Sequence, residues 1–458
     1  MDRRHFLSTA LAAPLATTSA AQSKRPNVVV LFTDDQRFDT IAALGNREVS
    51  TPNMDRLVRN GTTFTRAHIM GGTVGAVCVP SRAMLMTGQS LFHIHRSIVA
   101  PKEYPESARK PFDLFPELFR KAGYDTFGCG KWHNQPELYA RCFTAGGPVF
   151  FGGMSDQSNI LVADFQPDGK YGPDRRKRVN RYSSELFADS TVDFIRSRKP
   201  GVNPFLTYTA FTSPHDPRTA PAKYAAMYSP EKVTLPKSFL KQHPFDNGEL
   251  KVRDELLAAF PRGEMEIRRH LADYYAMVSE VDAQIGRVLD ALEETGQMSN
   301  TIVVFAGDNG LAVGKHGLMG KQNAYDHSVR VPLVLTGPGI APGWRDDSLV
   351  YLFDIFPTLC KRAGLPIPST VEGRDLFRGA RRDSIFYGYR TFMRGVRTKD
   401  DWKLIRYTVN GTERVQVFNL KSDPHEINDL SAVETRRKIE LTALLNRWQR
   451  ETDDILVN

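Results

Sequence analysis

The sequence predicts an α/β protein: a large domain on a mostly parallel central sheet, then a small antiparallel C-terminal subdomain. Three features carry this. Continuous apolar or β-branched runs at 27–32, 205–211 and 301–306 read as strands buried on both faces, the habit of parallel sheets. Ahead of the last run, Ile267, Leu271, Tyr274, Val278, Val281, Ile285, Val288, Leu289 and Leu292 recur at helical spacing and predict a long amphipathic helix over 265–295. From Ser384 the texture changes to short strand-like pieces at 385–389, 395–398, 402–407 and 415–419, closed by a helix near 433–452. The chain then divides into 1–21, 22–383 and 384–458.

Taken in order, the first strand runs into Thr33-Asp34-Asp35, and Thr51 followed by Pro52 opens a helix with Thr51 as its cap. The stretch from Cys78 to Gly88 reads as a short buried helix. Pro80 suits its first position, Met84, Leu85 and Met86 supply apolar surface, and Gly88 ends it. Cys78 then stands just before a helix N-terminus, where free N–H groups favour negative charge, with Arg82 one turn along. A helix over 114–122 leads to a strand at 124–128 and on to Gly130-Lys131-Trp132-His133. The 205–211 strand delivers Ser213-Pro214-His215-Asp216-Pro217, the 301–306 strand delivers Gly307-Asp308-Asn309-Gly310, and 331–335 is a further strand. The long segments 146–182 and 217–261 read as irregular walls of a pocket, with Asp246-Asn247 a candidate sugar contact.

The composition of this 458-residue chain, 41% hydrophobic and 25% charged, is that of a globular protein, and its formal charge of +9 suits an anionic substrate. Arg175-Arg176-Lys177-Arg178 lacks interleaved aromatics and reads as a solvated loop, so nucleic acid is not an expected partner. Arg3-Arg4 before an Ala/Leu-rich run ending at Ser19-Ala20-Ala21 fits a cleavable twin-arginine signal peptide. That run is too short and interrupted to span a bilayer. The expectation is export through the twin-arginine translocase to the periplasm or beyond, and not an integral membrane protein. Four cysteines make no disulfide framework; Cys129 and Cys142 are the one close pair, so at most one bridge is expected.

Two strands end in adjacent oxygen-bearing side chains, Asp34-Asp35 and Asp308-Asn309. If the strands are neighbours, three carboxylates and an amide converge, and a hard cation is the natural partner, Ca²⁺ first and Mg²⁺ second. A thiolate suits such a site poorly.

The run Cys78-Val79-Pro80-Ser81-Arg82, followed by Gly88, resembles the signature of the type I sulfatases, and the likeness extends from Asn27 to Glu426. It implies the alkaline-phosphatase-like fold. It also implies that a formylglycine-generating enzyme converts Cys78 to formylglycine, whose hydrate offers oxygen in place of sulfur. On this resemblance Asp34, Asp35, Asp308, Asn309 and the modified Cys78 are the metal ligands, and Arg82 holds the modified side chain. Lys131 and His133 stand beside the nucleophile, while His215 and Lys321 face the leaving side; His316 is a weaker candidate. Met86 in place of the more usual Leu conserves volume. The implied activity is release of sulfate from a sulfate monoester, most naturally a sulfated carbohydrate. A hydrate hydroxyl attacks sulfur, His215 or Lys321 assists the departing oxygen, and His133 takes a proton from the second hydroxyl. The alternative is a phosphonate or phosphoester hydrolase of the same superfamily. A non-catalytic carbohydrate-binding relative would lack the nucleophile or a ligand, and none is lost here.

Overall fold

The computed structural model describes residues 25–94, 112–199, 203–452 and 454; the twin-arginine segment lies outside them. Strands β1 (Asn27–Thr33), β2 (Thr62–His68), β3 (Gly71–Gly72), β4 (Asp125–Lys131), β5 (Ala145–Phe150), β6 (Ile160–Ala163), β7 (Arg176–Val179) and β8 (Phe205–Ala210) precede the long helix Glu264–Glu294. After it come β9 (Thr301–Gly307), β10 (Leu333–Thr336), β11 (Trp344–Tyr351), β12 (Ser384–Tyr389), β13 (Met393–Thr398), β14 (Trp402–Val409) and β15 (Thr412–Asn419), and then the helix Thr435–Glu451.

Ten strands form one sheet in the order β11-β2-β10-β9-β1-β8-β4-β5-β6-β7. Its centre reads as expected. Val28, Val30 and Phe32 of β1 enter one helical layer while Val29 and Leu31 enter the other, and β9 splits the same way, Val304 from Val303. Side chains alternate along a strand, so a continuous apolar run is what burial on both faces requires. The long helix fills the second layer with the predicted stripe, Ile267 to Leu292.

The sheet has the expected parallel centre and antiparallel strands toward its flanks, so as a whole it is mixed. From β9 through β1, β8 and β4 to β5 the pairing is parallel, but β10 runs antiparallel to both β9 and β2. The chain between β9 and β10 carries only the one-turn helix Asp326–Val329, too short for the crossover that a parallel return needs. The stretch 146–182 is also not irregular, since it supplies β5, β6 and β7. Gly147 permits this: a Cβ there would lie 2.6 Å from the Ser190 side chain on the helix Ser183–Ser197. The basic run is the exposed edge strand β7, where like charges discourage further pairing.

Three smaller readings change. Cys78 is the first residue of the helix Cys78–Thr87 and Pro80 its third, while Gly88 closes it at φ 69° with its N–H on Met84 O at 2.8 Å. Thr51 does not cap its helix; its hydroxyl accepts from the Ala42 N–H at 2.9 Å and donates to Asp55 at 3.1 Å. All four cysteines are free and buried. Cys129 faces the second layer and Cys142 the first, so the sheet stands between the expected pair.

β12 to β15 form the small antiparallel sheet, with β3 added along its edge. Buried charge ties it to the large sheet. Asp326 accepts from Arg397 and Lys403 at 2.9 Å each, Lys403 also reaches Glu426 at 2.7 Å, and Glu426 accepts the Asp326 N–H at 2.7 Å. Among the described residues no helix is long and apolar enough to cross a membrane.

Glu280, on the long helix, is buried with one carboxylate oxygen unpartnered among the described residues, and burial pushes its carboxyl up to about 8 against hydrogen bonds from Ser184 and Gln284. The folded protein then holds a proton that the unfolded chain releases near 4.5. Stability therefore falls between these values as pH rises, by about 1.4 kcal/mol per pH unit. Glu280→Gln removes that slope: its melting temperature should exceed the parent's by several degrees at pH 8 and match it near pH 4.5.

Candidate active site

Four neighbouring parallel strands, β9, β1, β8 and β4, end at one edge of the sheet, where α/β proteins gather ligands. Thr33 of β1 lies opposite Gly307 of β9, so Asp34-Asp35 and Asp308-Asn309 leave the sheet side by side. Backbone bonds fix the arrangement: Asp308 N–H to Thr33 O at 3.0 Å, and Asp34 N–H to Ser213 O at 3.1 Å. Asp35 N–H donates to Asp308 Oδ1, also at 3.0 Å. Asp35 adopts φ 62°, a left-handed conformation uncommon outside glycine, and the Tyr274 hydroxyl holds its carbonyl at 2.7 Å.

Three buried cations answer the three carboxylates. Arg82 donates through Nε to Asp308 Oδ2 at 3.0 Å and through one terminal nitrogen to Lys131 O at 2.7 Å, while its other terminal nitrogen pairs with Asp308 Oδ2 by charge at 2.9 Å. Lys131, the last residue of β4, donates to Asp34 Oδ2 at 2.5 Å and to Gly153 O at 2.6 Å. Lys321 donates to Asp35 Oδ1 at 2.5 Å, an oxygen that Asn309 Nδ2 also reaches at 2.7 Å. Cys78 Sγ sits between the ammonium groups, 3.9 Å from Lys131 Nζ and 3.5 Å from Lys321 Nζ. Burial pushes the Cys78 thiol up despite those cations. Burial also opposes the charge on Asp34, but Lys131, His215 and Arg82 outweigh it and hold that carboxyl below its usual range. At Asp308 burial and the adjacent Asp34 charge win, and its carboxyl is pushed up.

The oxygens left over fit a hard cation. Asp34 Oδ1, Asp35 Oδ2 and Asn309 Oδ1 are buried without a hydrogen-bond partner among the described residues, although buried polar atoms are almost always paired. One ligand atom each from Asp34, Cys78 and Asp308 lie within 4.8 Å of one another. Oxygen donors of this kind suit Ca²⁺ or Mg²⁺.

The two histidines have opposite surroundings. His133, at φ 52°, lies against the Gly153 loop; burial, then Lys131, Arg82 and Lys321, push its imidazole well below the usual value, so it is neutral. His215 stands among acids, with Nε2 3.6 Å from Asp35 Oδ2 and Nδ1 3.4 Å from Asp216 Oδ1. Its Nδ1 is 2.7 Å from the Asp216 carbonyl, which can only accept, so Nδ1 carries a proton. All the principal candidates thus converge.

His316 does not join them. Its ring stacks on Tyr325 with centroids 4.0 Å apart, Nε2 bonds Glu426 O at 3.0 Å, and burial lowers it to about 3. Asp246 and Asn247 use their side-chain oxygens to close a turn on the N–H groups of Gly248 and Glu249. Sequence reasoning missed Asp216, Arg253, Asp254 and Gln322. Arg253 forks onto Asp216 at 2.5 and 3.0 Å, and Gln322 Nε2 bridges Asp254 at 2.7 Å to Gly75 O at 3.1 Å. Asp216, beside His215, had a local signal; Arg253 and Asp254, in a Pro-rich loop, had none.

The Sulfatase family profile matches residues 26–365, and the N-sulphoglucosamine sulphohydrolase C-terminal profile matches 314–451. An N-acetylglucosamine-6-O-sulfatase from Bacteroides thetaiotaomicron is 25% identical over 96% of this chain and 90% of its own length. A solved structure in complex with its substrate D-glucosamine-2-N,6-O-disulfate shares the fold at TM-score 0.71 and 23% identity, over 94% of this chain and 99% of that one. The phosphonate monoester hydrolase of Agrobacterium radiobacter does so at 0.70 and 22%, over 94% and 96%. With the Sulfatase profile spanning most of its length, this chain belongs to the sulfatase family and is an enzyme that hydrolyses sulfuric esters.

Proposed function

We propose that the enzyme releases inorganic sulfate from a sulfated carbohydrate, with Cys78 converted to formylglycine and a divalent cation, Ca²⁺ ahead of Mg²⁺, held by Asp34, Asp35, Asp308, Asn309 and the modified side chain. The observation that carries this reading is the position of Cys78: a buried side chain at a helix N-terminus, between two ammonium groups and beside an acidic cluster with spare oxygens. The formylglycine hydrate supplies an oxygen nucleophile, and the cation supplies Lewis-acid stabilisation of the sulfate oxygens. Around them the chain's own residues divide the remaining work. Lys131 and Lys321 present fixed positive charge to the sulfate group and to charge that develops on it. Arg82, bonded to Asp308 and the Lys131 carbonyl, holds the helix that bears residue 78 against the strand ends. His133, neutral among cations, is the base that accepts a proton from residue 78. His215 keeps its Nδ1 proton on the Asp216 carbonyl and, when a second proton occupies Nε2, passes that proton to the departing oxygen as the general acid and is left as the neutral ring.

The sulfated-sugar assignment is supported by the N-acetylglucosamine-6-O-sulfatase relative and by the disulfated-sugar complex. Export by the twin-arginine translocase to the periplasm or beyond, and modification by a formylglycine-generating enzyme, belong to the same proposal; Arg3-Arg4 and the Cys78 signature support them. Phosphonate or phosphoester hydrolysis is the second reading, supported by the phosphonate hydrolase neighbour.

Peptide mass of protein co-expressed with a formylglycine-generating enzyme should show thiol-to-aldehyde conversion at Cys78, rising in step with sulfate release from an aryl sulfate. Unmodified cysteine in an active protein would refute the nucleophile. Across matched aryl sulfate, phosphate and phosphonate esters, kcat/KM should be highest for sulfate; a phosphonate preference would move the assignment to the second reading. His215→Ala should slow esters with poor leaving groups by roughly 10²–10⁴ and aryl sulfates far less, and equal losses would refute its leaving-side role. Exhaustive chelation should abolish turnover, with Ca²⁺ restoring it better than Mg²⁺.

A further inference from the structure

Above the site, the turn from β12 to β13 carries a charge that the hydrolytic machinery does not use. Arg390 adopts φ 43°, a left-handed conformation that a side-chain-bearing residue keeps only where its surroundings impose it. Its N–H donates to Gly72 O at 2.9 Å, which ties the turn to the strand leading into the Cys78 loop. The side chain is hydrogen-bonded at one edge, and its guanidinium lies over the Tyr389 ring, 5.9 Å from the centroid. Nε lies 2.9 Å from Glu249, a carboxylate 6% exposed, and 3.3 Å from the Tyr389 hydroxyl, which itself donates to Glu249 at 2.8 Å. The terminal nitrogens have no partner among the described residues, and the side chain is 44% exposed. One of them faces Gly75, where an added Cβ would come within 2.8 Å of it. Gly75 is three residues before Cys78, and its carbonyl accepts from Gln322, the neighbour of Lys321. The free edge of this guanidinium therefore stands at the rim of the pocket that holds residue 78. The other rim arginine, Arg253, differs: Asp216 and Asp254 occupy its fork.

We propose that Arg390 is a specificity-determining residue that reads a second anionic group on the substrate, a carboxylate or a further sulfate, and so directs the enzyme to polyanionic over singly charged sulfate esters. This rests on the sulfatase reading above. A guanidinium edge with two parallel N–H groups matches either oxyanion in a bidentate contact, and anchoring Nε to Glu249 and Tyr389 sets its direction before the substrate arrives.

The test compares phenyl sulfate with probes carrying a second charge: 3- and 4-carboxyphenyl sulfate against their methyl esters, and the bis-sulfates of resorcinol and hydroquinone against their monosulfates. The carboxylate pairs and the bis-sulfate pairs separate the two sources of charge. The parent enzyme should favour the charged member of at least one pair by tenfold or more in kcat/KM. Arg390→Ala should erase that preference through KM while changing phenyl sulfate less than twofold, and Arg390→Lys should keep part of it. Arg390→Gly, which suits the left-handed backbone, guards against a folding artefact and should behave as the alanine variant does. Absence of a charge preference in the parent, or equal losses on phenyl sulfate and the charged probes, overturns the role of Arg390 and leaves the sulfatase reading standing. A failure of the formylglycine-bearing protein to hydrolyse any sulfate overturns both.

Discussion

The structure depends on the parallel pairing of β1 with β9, because that register places three carboxylates where they must repel one another. Burying an ion costs several kcal/mol even after relaxation, so the cluster survives only if its counter-charges arrive with it. They come from three distant parts of the chain: Arg82 on the Cys78 helix, Lys131 at the end of β4, and Lys321 in the loop before β10. Three acids against three bases is formally neutral. A divalent cation on the spare oxygens of Asp34, Asp35 and Asn309 would leave the pocket positive, which is the condition for drawing in a sulfate ester.

The C-terminal sheet serves the same end from outside. Lys321 sits on a loop with little secondary structure, and loops of that kind keep a side chain in place only when other elements grip them. Glu255 accepts the N–H groups of Met319 and Gly320 at 2.8 Å each, and Asp254 receives Gln322. At the far end of the loop, Asp326 and Glu426 share Lys403 of β14. Removing one partner of such a buried set leaves a charge uncompensated, so this linkage is costly to break. The small sheet thus fixes one of the two ammonium groups flanking residue 78.

What was legible in the sequence followed from local pattern. β1, β8 and β9 announced themselves as apolar runs, and the Asp34-Asp35 and Asp308-Asn309 pairs stood at their ends, so the acidic cluster could be anticipated once those strands were taken as neighbours. The reversal of β10 was not legible, because direction depends on the path of the intervening loop rather than on composition. β5 to β7 were hidden because glycines such as Gly147, chosen for close helix approach, read as loop. Arg253 and Arg390 carried no signal for a different reason. Each is defined by a carboxylate far away in sequence, and an arginine in a loop is ordinarily solvated.

The same logic separates two histidines that look alike in the chain. His133 is surrounded by Lys131, Arg82 and Lys321, so a proton on its ring would add charge to charge, and it rests neutral. His215 faces Asp35 and Asp216, and a carbonyl holds the proton on its Nδ1. A second proton on Nε2 would therefore be met by acids. The two rings thus meet opposite charge, His133 cations and His215 carboxylates, and the base and acid roles proposed for them rest on that difference rather than on histidine itself. Hydrolysis by the proposed route needs both directions of transfer, one proton taken from the hydroxyl of residue 78 and one given to the departing alcohol oxygen. Lys131 at the end of β4 and Asp216 just beyond β8 place part of that asymmetry on neighbouring strands, and Arg82, Lys321 and Asp35 complete it from other elements.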